Sequence, residues 1–181
     1  PTPAVKGENL FADPGFEQRG LAWDLAIPPY EGSKVIIDST VAHTGRRSMR
    51  LEDFHDGLAE TRIGVAQPFE GRRMRGQRVR LTGWFKGDSL QGTSLIKIYS
   101  HGLRTHVLQS PGAELLSGTW DWKLLAIEFD VPDDAELVWA SLFAIAPARG
   151  TVWLDDASFA VVGPAKGDGD APKKPASPEK R

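Results

Sequence analysis

The sequence predicts an all-β protein, an antiparallel β-sandwich of the jelly-roll kind, and three observations carry that expectation. Between Leu10 and Val162 the apolar residues fall in short period-two segments rich in β-branched and aromatic side chains. Gly, Pro and Asp punctuate those segments at turn positions. No segment keeps a helical period over three turns. Short strands without interleaved helices imply an antiparallel sandwich of about eight to ten strands, with the first and last adjacent.

Taken in order, the strand segments are VIID (Val35–Asp38), SMRLE (Ser48–Glu52), RVRLTGWFK (Arg78–Lys86) and SLIKIYS (Ser94–Ser100). WKLLAIEFDV (Trp122–Val131), ELVWASLFAIA (Glu136–Ala146) and TVWLDDASFAVV (Thr151–Val162) complete them. HTGR at His43–Arg46 and VPDD at Val131–Asp134 are turns, because proline presets φ and glycine tolerates φ > 0. Residues 1–8 read as an N-terminal extension, 9–162 as the sandwich, and 163–181 as an extended tail. That tail holds Pro164, Pro172, Pro175 and Pro178, five basic and three acidic residues, and no large apolar side chain to bury.

Composition narrows the function. The body of about 155 residues suffices for one core burying roughly two-thirds of the unfolded surface. With 22 basic against 24 acidic residues, no strong field points to nucleic acid or to an acidic membrane surface. No apolar run is long enough to span a bilayer. Cysteine is absent, which excludes disulfides, thiol catalysis and thiolate metal sites. The opening PTPAVKGEN has no Met and reads as a processed chain, so an exported protein, periplasmic or extracellular, is expected. No nucleophile elbow, phosphate loop, dinucleotide fingerprint or His-Glu-x-x-His motif occurs, so no enzyme is expected.

Two carboxylates interrupt the last strand, Asp155 and Asp156 in GTVWLDDASFAVV. Strict alternation puts Asp155 with Trp153, Ala157, Phe159 and Val161, and Asp156 with Val152, Leu154 and Ser158. Opposed in this way, they cannot converge on a substrate as an acid/base pair. Asp155 falls on the bulkier apolar face, where an unpaired carboxylate is costly, and needs a cation, an Arg or several backbone donors. Asp156 is expected to face solvent.

Arg80, Thr82, Trp84 and Lys86 share one face of their strand, with Val79, Leu81, Gly83 and Phe85 lining the core. Lys97 and Tyr99, and Trp139 with Ser141 and Phe143, would extend that polar face on neighbouring strands; the alternative is that Trp139 and Phe143 pack inside. An aromatic platform with polar neighbours holds sugar rings by CH contacts and hydrogen bonds, so Arg80, Trp84, Lys86, Tyr99 and Trp139 form the candidate ligand-binding face. Trp120 and Trp122 flank an Asp, and one of them is expected to plug the sandwich end. Arg72, Arg73, Arg75, Arg78 and Arg80 read as a solvated hairpin or an interaction rim, and His101 and His106, five apart, as a loop pair.

NLFADPGFE (Asn9–Glu17), AHTGRRSMRLE (Ala42–Glu52), GQRVRLTGWFKGD (Gly76–Asp88), GTWDWKLLAIEFDVPDDAELV (Gly118–Val138) and GTVWLDDASFAVV occur in that order. Together they resemble the galactose-binding-like jelly roll of bacterial carbohydrate-binding modules, families four, nine and twenty-two. The likeness is strongest to accessory domains of secreted bacterial hydrolases and peptidases. The resemblance implies a structural calcium held by Glu17 and Asp155 with backbone carbonyls, the hard oxygen set calcium prefers. It implies a non-catalytic module that binds polysaccharide or docks a neighbouring activity. The other expectation is an extrinsic structural subunit of a larger bacterial complex, a photosynthetic or respiratory membrane assembly for example. Its tail would lie on a protein partner and one sandwich face would dock beside it.

Overall fold

A computed structural model describes residues 4, 6–25, 33–54, 62–109 and 116–166. Within them lie β1 (Asp24–Leu25), β2 (Lys34–Asp38), β3 (Ser48–Phe54), β4 (Arg62–Glu70), β5 (Gln77–Gly102), β6 (His106–Gln109), β7 (Leu116–Asp130) and β8 (Ala135–Pro164). A 3-10 turn at Gly71–Arg73 joins β4 to β5. Every paired strand runs antiparallel to its neighbour.

Two pairs of segments expected as separate strands are continuous. β5 has 26 residues and β8 has 30, and they pair with each other from Gln77↔Pro164 to Gly102↔Ala135. The ribbon bends where its register slips, between Asp88 and Thr93 of β5, with Ser89 at φ 53° and Gly150 opposite at φ 118°. A β-carbon on Gly150 would strike the Asp88 and Ser89 carbonyls, so glycine permits the close crossing. Such corners let one strand serve two sheets. The first leaf runs β2-β3-β8-β5-β7, from the C-terminal half of β8 and the N-terminal half of β5. The second runs β1-β4-β8-β5-β6, from the other halves.

The leaves close on one core. Val79, Leu81, Phe85 and Phe159 of the first and Ile96, Ile98, Val138 and Leu142 of the second are wholly buried. A β-carbon on Gly83 would touch the Leu142 side chain from the opposite leaf, so the sheets face each other there. Each such side chain stabilises the fold by about 1.5–3 kcal/mol relative to exposure.

β1 pairs with β4, and the N-terminal segment is what lies against β8. Lys6 bridges Val161 in parallel, Gly7 N–H donates to Val161 O, Leu10 N–H donates to Phe159 O, and Ala4 is buried. Gln67 binds Ala12 through both amide atoms and ties the same segment to β4. At the other end β8 runs on through Pro164, and Ala165 N–H donates to Gly76 O. The tail from residue 167 onward lies outside the described residues.

Candidate functional site

The alternation expected around the two aspartates fails at a bulge. Thr82 pairs with Ser158 but Trp84 with Asp155, so β8 carries one extra residue there, and Asp156 takes φ 44°. Val152 and Leu154 therefore point to the core together with Ala157, Phe159 and Val161. Asp155 stands on the opposite face, beside Trp84 in register. It is nonetheless fully buried, because the loop at Ala42–Arg47 covers it. Asp155 Oδ2 accepts from the N–H groups of His43 (2.8 Å) and Thr44 (3.2 Å), and Oδ1 from Asp156 N–H (2.8 Å). Burial pushes its carboxyl up to about 6, against the pull of the His43 and Asp156 N–H groups.

The same loop is pinned at two further points. Asp156 Oδ2 lies 2.7 Å from His43 Nδ1, and Asp156 Oδ1 accepts from the Thr44 hydroxyl. Glu17 Oε1 accepts from the N–H groups of Arg46 (2.6 Å) and Arg47 (3.0 Å). Glu17 lies in the turn before β1, not on a strand. Gly15 sits between the carboxylates: its β-carbon position is 3.7 Å from Asp155 Oδ1 and from Asp156 Oδ1, and 3.9 Å from Glu17 Cγ.

For a cation this donor set is chemically suitable. A carboxylate offers about four lone-pair directions, and three N–H donors leave Asp155 Oδ1 room for one more partner. Among the described residues no cationic side chain pairs with Asp155, while Glu17 faces Arg47 at 3.9 Å. Among the described residues no three His, Asp or Glu side chains are placed to hold a metal by themselves. A calcium ion here would take Glu17 and Asp155 together with backbone carbonyls.

The candidate ligand face divides between the leaves. Arg80, Trp84 and Lys86 lie on the outer face of the first leaf. There His43 stacks on Trp84 with ring centroids 4.1 Å apart at 17°, and meets Trp122 edge-on at 5.4 Å. Lys86 Nζ pairs with Asp121 at 2.7 Å. Trp120 turns inward: its indole donates to Phe85 O and its ring occupies the space a side chain at Gly87 would need.

Tyr99 and Trp139 lie on the outer face of the second leaf. Pro68, Trp139, Tyr99 and Leu108 follow one another in register across β4, β8, β5 and β6. Pro68 is exposed, Leu108 is 57% exposed, and the two aromatic residues are half-buried. One step along the strands stand Ser141 and Lys97, and then Phe143, buried, with Lys97 Nζ 5.7 Å from its ring centroid.

Sequence reasoning missed one organising carboxylate. Asp38, buried at the end of β2, accepts from the Thr40 N–H and hydroxyl, the Trp153 indole (2.9 Å) and Arg50 (3.2 Å). Burial alone would raise its pKa; the donors, Thr40 and Trp153 foremost, outweigh it and hold the carboxyl well below its usual range. The Asp-Ser-Thr order after a strand is the signal, since Asp caps the turn that follows. Three arginines of the cluster meet carboxylates: Arg72 and Arg75 share Glu136, and Arg78 pairs with Glu128 and Asp130.

No family model matches the chain, and no curated protein matches it. Solved structures do. The C-terminal family 22 carbohydrate-binding module of Clostridium thermocellum Xyn10B has a TM-score of 0.64 at 19% identity, covering 90% of this chain and 98% of that one. The CBM22-1 xylan-binding domain of Paenibacillus barcinonensis Xyn10C has 0.64 at 15% identity, covering 91% and 99%. The enzymatically active domain of bacteriophage CBA120 tailspike protein 4 has 0.66 at 15% identity; the match takes 84% of this chain but spans 21% of the tailspike. These likenesses show the fold, an antiparallel jelly-roll β-sandwich like that of the carbohydrate-binding modules.

Proposed function

We propose that this domain is a non-catalytic module that binds a polysaccharide chain along the second leaf. The row Pro68–Trp139–Tyr99–Leu108 carries the reading. It is a strip of apolar and aromatic surface four strands wide, with half-buried Lys97 beside it. The structural neighbours include modules described as xylan-binding and one bound to β-1,4-galactotriose, which supports a sugar as the ligand class. Such a module works where polysaccharide is met, outside the cell or in the periplasm. Affinity electrophoresis against a panel of soluble polysaccharides tests it. Retardation by at least one glycan is expected, lost in Trp139→Ala and Tyr99→Ala and kept in Trp84→Ala. Retardation by none, or loss only in Trp84→Ala, overturns it. The docking alternative rests on the tail and its protein partner, and that tail from residue 167 onward lies outside the described residues.

Calcium at Glu17 and Asp155 belongs to the same proposal as a structural cofactor. It would neutralise a buried carboxylate whose donors among the described residues are backbone N–H groups, and would fix the Ala42–Arg47 loop. A metal that binds only the folded state raises Tm by mass action, so excess chelator should lower Tm, and Glu17→Ala should abolish that sensitivity. An unmoved melting curve leaves Asp155 satisfied by protein groups alone.

A further inference from the structure

The sequence alone places His101 and His106 in a loop. The structure instead places them directly opposite each other on β5 and β6. The turn between them is Leu103–Arg104, closed by Gly102 N–H donating to Thr105 O at 2.8 Å. Bonded and non-bonded pairs alternate along an antiparallel ladder, so His101 and His106 form a non-bonded pair, where side chains approach most closely. Their ring centroids are 4.2 Å apart, and both residues are exposed. Asp134 clamps the turn by accepting from the N–H groups of Arg104 (2.7 Å) and Thr105 (3.0 Å) and from the Thr105 hydroxyl. The hairpin is therefore held in shape independently of the imidazoles.

We propose that this pair is a two-imidazole site for a divalent transition-metal cation of the zinc, copper(II) or nickel class. Neutral imidazole is a preferred ligand of those ions, and water would complete the coordination. A second contact supports the assignment. His106 Nδ1 lies 3.3 Å from the Tyr99 hydroxyl. With its proton on Nδ1, His106 donates to that oxygen and presents the Nε2 lone pair outward, the arrangement in which a metal-ligating histidine is usually held. Tyr99 belongs to the aromatic row, so a bound cation would orient its hydroxyl, and only this consequence rests on the sugar-binding reading. The site is remote in sequence and chemistry from Glu17 and Asp155, which offer hard oxygens.

The test uses the full chain without a histidine tag, titrated calorimetrically with zinc, copper(II) or nickel chloride at about pH 7.5. One site per chain is expected, unaffected by saturating calcium. Its affinity should fall by roughly tenfold or more in His101→Asn and in His106→Asn, and by about tenfold in Tyr99→Phe, while His43→Asn leaves it unchanged. Both histidines are exposed, so the metal-free variants should melt as the parent does. The copper-loaded parent gives a reading independent of any variant, an electron-paramagnetic spectrum with two equivalent nitrogen couplings. Unchanged affinity in both histidine variants, or a spectrum with fewer than two nitrogens, overturns the proposal.

Discussion

On the first leaf Trp84 lies beneath His43, ring centroids 4.1 Å apart, under a loop pinned by Asp155, Asp156 and Glu17. On the second, Trp139 and Tyr99 stand side by side in register, with exposed Pro68 and Leu108 at their flanks. Both faces carry aromatic side chains beside lysine. What separates them is occupancy by the protein itself. Trp84, Tyr99 and Trp139 are all half-buried, but the ring stacked under His43 contributes to folding, whereas the row flanked by exposed Pro68 and Leu108 has surface to offer a ligand. An outward-pointing tryptophan therefore says little until what lies over it is known.

The sharpest way to break this comparison is to remove the anchor of the covered side. Asp155→Ala leaves the N–H groups of His43, Thr44 and Asp156 without their buried acceptor. The expected loss is about 3 kcal/mol by denaturant titration, with Trp84 fluorescence reporting release of the loop. A loss within about 0.5 kcal/mol would mean the cover is loosely held and the two faces are alike.

Asp38→Ala is next, at about 2–3 kcal/mol, because one buried carboxylate serves Thr40, Trp153 and Arg50 together. Its folded pKa is depressed, so its contribution is complete above the ordinary carboxylate value near about pH 4 and is lost as pH falls below it. The parent should lose stability more steeply than Asp38→Ala as pH falls below about 4. Parallel acid profiles would remove Asp38 as the organiser of that edge.

Much of the fold was legible because most strands bury one face and leave the other wet. Val79, Leu81 and Phe85 against Arg80, Trp84 and Lys86 show that pattern. β4 was not legible, since Ile63, Gly64, Val65, Ala66 and Gln67 are all buried and nothing alternates. The bends were read as strand ends, because Gly87–Gly92 and Pro147–Gly150 look like turns to any local reading. The Asp155 bulge was hidden for a different reason. A single extra residue inverts the face of everything before it, and only the partner strand reveals the slip. Arg80, Trp84, Lys86 and Tyr99 alternate with buried neighbours on β5, yet their division between two leaves depends on a bend that the sequence does not announce.

A smaller effect sharpens the contrast directly. Trp84→Ala should cost about 2 kcal/mol of stability through lost stacking and leave polysaccharide affinity intact. Trp139→Ala should weaken that affinity by about tenfold or more, which is about 1.4 kcal/mol. The reversed assignment, affinity lost with Trp84 and kept with Trp139, would move the binding face to the first leaf.

The smallest expected effect belongs to the ion pair at the rim of the covered face. Lys86 Nζ meets Asp121 Oδ1 at 2.7 Å, and that hydrogen bond is the main cause of the lowered Asp121 pKa. Distance alone would make it look important. Asp121, however, is 84% exposed at its side chain, so water screens the attraction and both side chains lose rotamer freedom to hold it. Asp121→Asn should therefore leave Tm unchanged within error at physiological ionic strength, with His43 still stacked on Trp84. A clear drop in Tm that salt abolishes would show that the rim charges help hold the loop, and that the cover depends on more than Asp155, Asp156 and Glu17.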